Sequence, residues 1–153
     1  MIPHRIFDRT MAPGLLSLLH RAFAGMQGRI DPPSSMLTLT SDSLFDMGEV
    51  WTIGTPPIAC VVLTPRDGVL YMGKWAVDPA HQGRGHARRL LTQALARAQA
   101  LGLPSLELQT RVELVENHRV FAALGFVETG RSAHPGYTRP TTITFRKEVP
   151  LHG

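Results

Sequence analysis

Apolar positions along the chain change their spacing repeatedly, and each change predicts an element. Arg5-Ile6-Phe7 predicts a short first strand, after which Leu15, Leu18, Leu19, Ala22, Phe23 and Met26 recur at helical i, i+3, i+4 intervals. Pro13 near the start and Gly28 just beyond the end punctuate that helix. A Pro- and Ser-rich loop follows at 31–35, and Ser41 or Asp42 is placed to cap a short second helix over Leu44, Phe45 and Met47. Residues 50–53, 58–63 and 69–77 are rich in β-branched and aromatic types and are separated by the turn signals Gly54-Thr55-Pro56-Pro57 and Pro65-Arg66-Asp67-Gly68. They predict an antiparallel meander.

The strongest helical stripe comes next. Ala87, Leu90, Leu91, Ala94, Leu95, Ala98 and Leu101 share one face, Arg88, Arg89, Gln93 and Arg97 the other, and Gly102 then Pro104 stop the helix. Leu106 and Leu108 alternate with Ser105, Glu107 and Gln109, which predicts a strand, and a further helix runs from about Leu114 to Leu124, ended by Gly125. Residues 126–129 and 141–145 supply two last strands.

Length and composition narrow the class. At 153 residues with 43% hydrophobic and 18% charged positions, the chain has the make-up of one packed globular domain spanning 1–153. No apolar run approaches the roughly 18 residues a membrane span needs, since Leu15–Ala24 is broken by His20 and Arg21. No membrane partner is expected. The lone Cys60 excludes an intrachain disulfide and a multi-cysteine zinc site, which fits a cytoplasmic protein, and its place in Ile58-Ala59-Cys60-Val61-Val62-Leu63 makes it a buried hydrophobe. His81 and His86 have no Cys or carboxylate at ligand spacing, so no metal is expected. A net charge of +4 suits an anionic ligand, but the aromatic residues do not alternate with Lys and Arg as a base-stacking platform requires. Nucleic acid is therefore not an expected partner.

The candidate chemistry centres on a strand, a glycine loop and a helix. Asp78-Pro79-Ala80-His81-Gln82-Gly83-Arg84-Gly85-His86 joins strand 69–77 to helix 87–101, an arrangement that aims free backbone N–H groups and the helix dipole at an anion. Gly83 and Gly85 let a ligand approach the backbone, and Arg84, His86, Arg88 and Arg89 place positive charge beside it. The loop is not a P-loop, because no G-x-x-x-x-G-K-[ST] run exists, and it is not a dinucleotide fingerprint, because Arg88 stands where the third glycine belongs.

Residues 77–91 resemble the acetyl-CoA signature Q/R-x-x-G-x-G/A of the GNAT superfamily of N-acetyltransferases, matched by Gln82, Gly85 and Ala87. Asn117-His118-Arg119-Val120-Phe121-Ala122-Ala123-Leu124-Gly125-Phe126 resembles the family's second signature, an Asn followed by an aromatic and then Leu-Gly-Phe. The resemblance implies a mixed α/β (α+β-like) fold, with a mostly antiparallel, twisted central sheet of about six or seven strands and helices on both faces. It implies acetyl-CoA as co-substrate, its pyrophosphate on the backbone of Gln82, Gly83, Arg84, Gly85, His86 and Ala87 with Arg88 adjacent, and its pantetheine arm paired with Trp75, Ala76 and Val77. Asn117 and Phe121 face that arm. Asn117 is also the polar member of the inward stripe Leu114, Asn117, Phe121, Leu124, and a buried amide needs partners that pantetheine would provide.

One departure matters. Many family members carry Tyr at the position of Phe121, where it protonates the departing thiolate, and Phe has no proton to give. A thiol of pKa about 8.5 can leave near neutral pH without it, whereas a primary amine of pKa about 10.4 must lose a proton before attacking the thioester. Glu107, alternating away from Leu106 and Leu108, is the candidate base. His134 and Tyr137, in the 132–140 connection that borders the acceptor site of the resembled fold, are further candidates for acid, base or acceptor ligand. The implied acceptor is a small-molecule or peptide amine, and homodimers are common in the family. The alternative is an acyl-CoA-binding sensor without turnover.

Overall fold

The computed structural model describes residues 1–35 and 39–150. Its seven strands are β1 (His4–Ile6), β2 (Glu49–Ile53), β3 (Ala59–Arg66), β4 (Val69–Val77), β5 (Ser105–Arg111), β6 (Val127–Ser132) and β7 (Thr142–Glu148), in the order β1-β2-β3-β4-β5-β7-β6. All neighbours are antiparallel except β4 and β5. The helices are α1 (Ala12–Phe23), α2 (Ser41–Met47), α3 (His86–Leu101) and α4 (Val115–Ala123). Among the described residues no helix is long and apolar enough to cross a membrane.

Alternation along the strands divides the core. Val61, Leu63, Leu70, Met72, Leu106, Leu108, Ile143 and Phe145 meet Leu90, Leu91, Ala94 and Ala98 of α3, with Phe121 of α4 and its C-cap Leu124 packed alongside. On the opposite face Val50, Cys60, Val62 and Ala76 meet Leu15, Leu18 and Leu19 of α1 and Leu44 of α2. Helices thus cover both faces, as the family resemblance implies. The β5–β7 part of the second face carries instead a polar row in cross-strand register: Tyr71 on β4, Glu107 on β5 and Arg146 on β7.

Some boundaries differ from the sequence reading. The cap of α2 is Thr40, whose hydroxyl accepts from Ser43 N–H while the Ser43 hydroxyl accepts from Thr40 N–H, so neither Ser41 nor Asp42 is needed. Pro65 and Arg66 extend β3, opposite Leu70 and Val69, which leaves Asp67-Gly68 as the two-residue turn. Strands β6 and β7 run further than predicted, to Ser132 and Glu148, because their solvent-facing residues are charged or small and break the apolar signal. Part of the 36–48 segment, residues 36–38, lies outside the described residues.

One buried carboxylate links this core to pH. Glu49 is 7% exposed; Arg97 Nε donates to both of its oxygens at 2.8 and 3.0 Å, Trp51 Nε1 donates at 3.1 Å, and Arg5 lies at 4.0 Å. Burial alone pushes this carboxyl up, but Arg97, Trp51 and Arg5 together outweigh burial and hold it below its ordinary value. A carboxyl lowered by folding adds stability that is present above its unfolded pKa of about 4.3 and is lost as pH falls through the folded value. Urea denaturation of the wild type should therefore weaken below about pH 4.3 more steeply than that of Glu49→Gln. At pH 7 Glu49→Ala should cost about 2–3 kcal/mol, since it strands Arg97 and the Trp51 indole. Equal acid slopes in wild type and Glu49→Gln would remove Glu49 from this role.

Candidate active site

The parallel pairing of β4 with β5 is short: Val69 to Tyr71 match Ser105 to Glu107 and the register stops there. Beyond it β4 stays on β3 as far as Val77, while β5 stays on β7 as far as Arg111. The two strands part like a wedge, and the facing edge of β4, including Trp75, Ala76 and Val77, is left with unpaired main-chain groups. A bulge sharpens the bend. Cys60 opposes Ala76 and Val62 opposes Gly73, so Val61 stands against both Lys74 and Trp75, and Lys74 takes φ 50°. The Cys60 thiol donates to the Lys74 carbonyl at 3.3 Å, and full burial pushes its pKa up to about 12, which leaves it no nucleophilic chemistry.

Aromatic rings line one side of the wedge. Trp75 of β4 stacks on Phe121 of α4 with centroids 5.8 Å apart, and Phe121 also meets Phe126 and Phe145. The indole Nε1 of Trp75 is buried with no hydrogen-bond partner among the described residues, a state that costs about 1–3 kcal/mol unless a ligand oxygen relieves it. Asn117 lies one turn before Phe121, half-buried. An unpaired strand edge, an orphaned indole donor and a nearby amide fit an extended ligand rich in amide groups.

At the open end of the wedge stands the glycine loop. Asp78 caps the turn Pro79–His81 by accepting from Ala80 N–H at 3.0 Å, and Arg21 holds the same carboxylate at 2.9 Å. Gly83 and Gly85 take φ 78° and 83°, a left-handed backbone that other residues adopt only with strain. Helix α3 then begins with Gly85 as N-cap, no side-chain cap and no acidic residue in its first turn. A 16-residue helix whose first N–H groups have no side-chain cap and no first-turn carboxylate among the described residues leaves them, and its dipole, for an anion. Arg84 and Arg88 are exposed beside it, whereas the His86 ring is 5% exposed. Burial first, then the charges of Arg89, His81 and Arg84, hold that imidazole below its ordinary pKa, so His86 offers the ligand its main chain rather than a cation.

The other mouth of the wedge is polar. Glu107 Oε2 accepts from Arg146 Nε at 2.9 Å, and the Arg66 guanidinium lies 3.9 Å over the Tyr71 ring. Burial, and secondarily Glu107, push the Tyr71 hydroxyl up in pKa. Segments 28–35 and 132–140 are tied together beyond the C-terminal end of β5: the Tyr137 hydroxyl donates to Asp31 Oδ1 at 2.5 Å, Arg139 reaches Oδ2 at 3.2 Å, and Asp31 N–H donates to Glu113 Oε2 at 3.1 Å. Arg111 donates to the Pro32 carbonyl at 2.7 Å, and Arg29 forks onto Glu116, pulling it down to about 2. His134 is fixed by Thr141, whose hydroxyl accepts from its N–H at 2.9 Å and meets its Nδ1. The hydrogen bond to Asp31 raises the Tyr137 pKa.

The acetyltransferase (GNAT) family model matches residues 17–126, more than half of the chain and the span that holds both the wedge and the loop. The chain belongs to the GNAT family. Solved GNAT structures share the fold throughout. The ribosomal-protein-S18-alanine N-acetyltransferase of Escherichia coli superposes with TM-score 0.70 at 17% identity, over 99% of this chain and 97% of its own. A GNAT family acetyltransferase from Elizabethkingia anophelis with acetyl-CoA bound gives 0.68 at 20% identity, over 95% and 96%. A GNAT family acetyltransferase from Staphylococcus aureus Mu50 gives 0.72 at 10% identity, over 97% and 99%. Comparison with curated sequences found no significant match.

In this GNAT chain the loop residues, Trp75, Asn117 and Phe121 gather on the α3–α4 side of the wedge, while Glu107 lies on the opposite face of the sheet. Sequence reasoning missed Asp31, which ties the 28–35 and 132–140 segments together, and its partner Glu113. Glu113 Oε2 is taken by Asp31 N–H, and its Oε1 is buried without a partner. Lys74, half-buried with its Nζ 3.5 Å from Ser35 Oγ and its pKa lowered by burial, was also missed. Only the bulge, which spacing does not reveal, turns it toward the 28–35 segment.

Proposed function

We propose that this GNAT protein transfers the acetyl group of acetyl-CoA to a primary amine of a small molecule or peptide. The observation that carries this reading is the wedge itself, opening after Tyr71 and Glu107 and ending at an uncapped helix N-terminus. The backbone of Gln82 to Ala87 holds the pyrophosphate with Arg84 and Arg88 adjacent, and Trp75, Ala76 and Val77 pair with the pantetheine amides. Asn117 hydrogen-bonds that arm, and Phe121 packs against it.

The amine nitrogen attacks the thioester carbonyl from the polar mouth, the C–N bond forms, the C–S bond breaks and the amine proton ends on the CoA sulfur. Glu107 takes that proton directly or through water, Arg146 holding Oε2 so that Oε1 is the accepting atom. His134 and Tyr137 shape the acceptor loops. With Phe121 in the aromatic stack there is no hydroxyl to meet the thiolate, and this favours, as a second reading, an acyl-CoA sensor that binds without turnover.

Calorimetric titration of acetyl-CoA, with NAD as control, tests the first step: saturable micromolar binding of acetyl-CoA alone is expected. Thiol release that depends on an added amine separates the readings. Binding with no amine-dependent thiol across an amine panel would make the protein a sensor, and no binding would end both.

A further inference from the structure

A pocket of about 480 Å³ lies on the other flank of the same helix end. The β2–β3 turn forms one wall and the glycine loop with the start of α3 forms the other. Because β3 borders β4 on the side away from β5, this pocket and the wedge are separated by β4 and the loop. His81, Arg84, His86 and Arg89 line it, facing Thr55 of the turn, and none of its lining residues is acidic.

The arginine and histidine donors are arranged in advance. Arg89 Nη1 donates to the Arg84 carbonyl at 2.8 Å and lies 3.1 Å from His86 Nδ1, so the guanidinium is locked over Gly85 with other N–H groups left to present as a fork. The contact with Arg89 also makes His86 Nδ1 an acceptor, which places the imidazole proton on Nε2. His81 Nδ1 is buried and has no hydrogen-bond partner among the described residues. Like charges gathered without a carboxylate repel one another, and a dianion removes that repulsion where a neutral ligand does not. The volume suits an organic phosphate better than a bare ion.

We propose that this pocket binds a phosphate monoester dianion through Arg84, Arg89, His81 and His86. The monoester is either the 3′-phosphate of CoA, which rests on the function proposed above, or a separate phosphorylated ligand, which does not.

Thr55→Glu tests this by placing a carboxylate in the exposed turn wall, away from the wedge, and Arg89→Gln removes the fork. Acetyl-CoA, acetyl-dephospho-CoA and inorganic phosphate are titrated separately into wild type and both variants, after thermal melts confirm folding. With CoA as the source, wild type prefers acetyl-CoA over the dephospho form by about tenfold or more, about the strength of one charge-assisted bond. Both variants then erase that preference, and in Thr55→Glu, whose site lies outside the loop, the affinity for acetyl-dephospho-CoA stays unchanged. With a separate ligand, both acetyl-CoA forms bind alike, and inorganic phosphate binds wild type without competing but is lost in both variants. Phosphate binding to wild type alone, with no binding of either acetyl-CoA form, keeps the pocket and ends the proposed function. Absence of phosphate binding together with equal affinity for both acetyl-CoA forms in all three proteins overturns the proposal.

Discussion

Gly85→Glu should lower acetyl-CoA affinity by about a hundredfold or more while leaving the protein folded, an effect of nearly 3 kcal/mol on binding. Gly85 is the N-cap of α3 at φ 83°, and a side chain there costs about 1–2 kcal/mol in a left-handed backbone. Its Cβ would meet the Arg89 guanidinium at 3.5 Å, an ordinary contact, so the space itself tolerates a side chain. A carboxylate there stands beside the Arg89 guanidinium at the positive end of the helix dipole, which stabilises the helix by about 0.3–1 kcal/mol and offsets much of the strain. The same carboxylate occupies the ground a pyrophosphate needs and repels it. Gly85→Ala separates the causes, since it keeps the strain and lacks the charge, and it should weaken binding far less. Calorimetry on the three proteins decides the matter: affinity within threefold of wild type for Gly85→Glu would show that the phosphate does not sit on this loop.

That site was legible in the sequence because its parts are local. The strand, the glycines and the first turn of α3 are contiguous, and their N–H groups need no distant residue to become an anion site. Asn117 was legible for a similar reason, as the polar member of an apolar helical stripe. The acceptor mouth was not. Asp31, Glu113, Tyr137 and Arg139 come from three segments far apart in sequence, and each alone reads as an ordinary loop or helix-start residue. Glu107 could be placed by alternation on a strand, but its pairing with Arg146 depends on β7 lying beside β5 rather than following it in sequence. The bulge at Lys74 left no trace in a strand whose apolar residues otherwise alternate, and with it went the orientation of both Lys74 and Trp75.

The second large effect concerns a residue that composition alone makes look like a helix stop. Gly48→Ala should destabilise the fold by about 3 kcal/mol, lowering the melting temperature by about 10 °C. Gly48 ends α2 with φ 167°, an extended backbone any residue adopts, so conformational freedom is not why glycine is there. Close approach is. A Cβ at this point would lie 2.4 Å from the Leu63 carbonyl oxygen, 2.8 Å from Thr64 Oγ1 and 3.0 Å from the Leu63 carbonyl carbon. Those backbone atoms belong to β3, which is held between β2 and β4, and the Thr64 hydroxyl already donates to the Met47 carbonyl at 2.8 Å, so neither neighbour can yield cheaply. The α2–β2 junction must move instead, and the pairing of Glu49 with Leu63 moves with it, disturbing the carboxylate that Arg97 and Trp51 hold. Gly130→Ala is the matched control, because Gly130 has negative or extended backbone and nothing within 4 Å of its Cβ direction, and it should change stability by less than about 0.5 kcal/mol. Urea denaturation of the two variants reads the difference directly, and equal stabilities would mean that β3 gives way to a methyl group at no cost. Acetyl-CoA binding by Gly48→Ala, measured well below its own melting temperature, should survive, since the methyl acts at the end of β2 remote in the sheet from the wedge between β4 and β5.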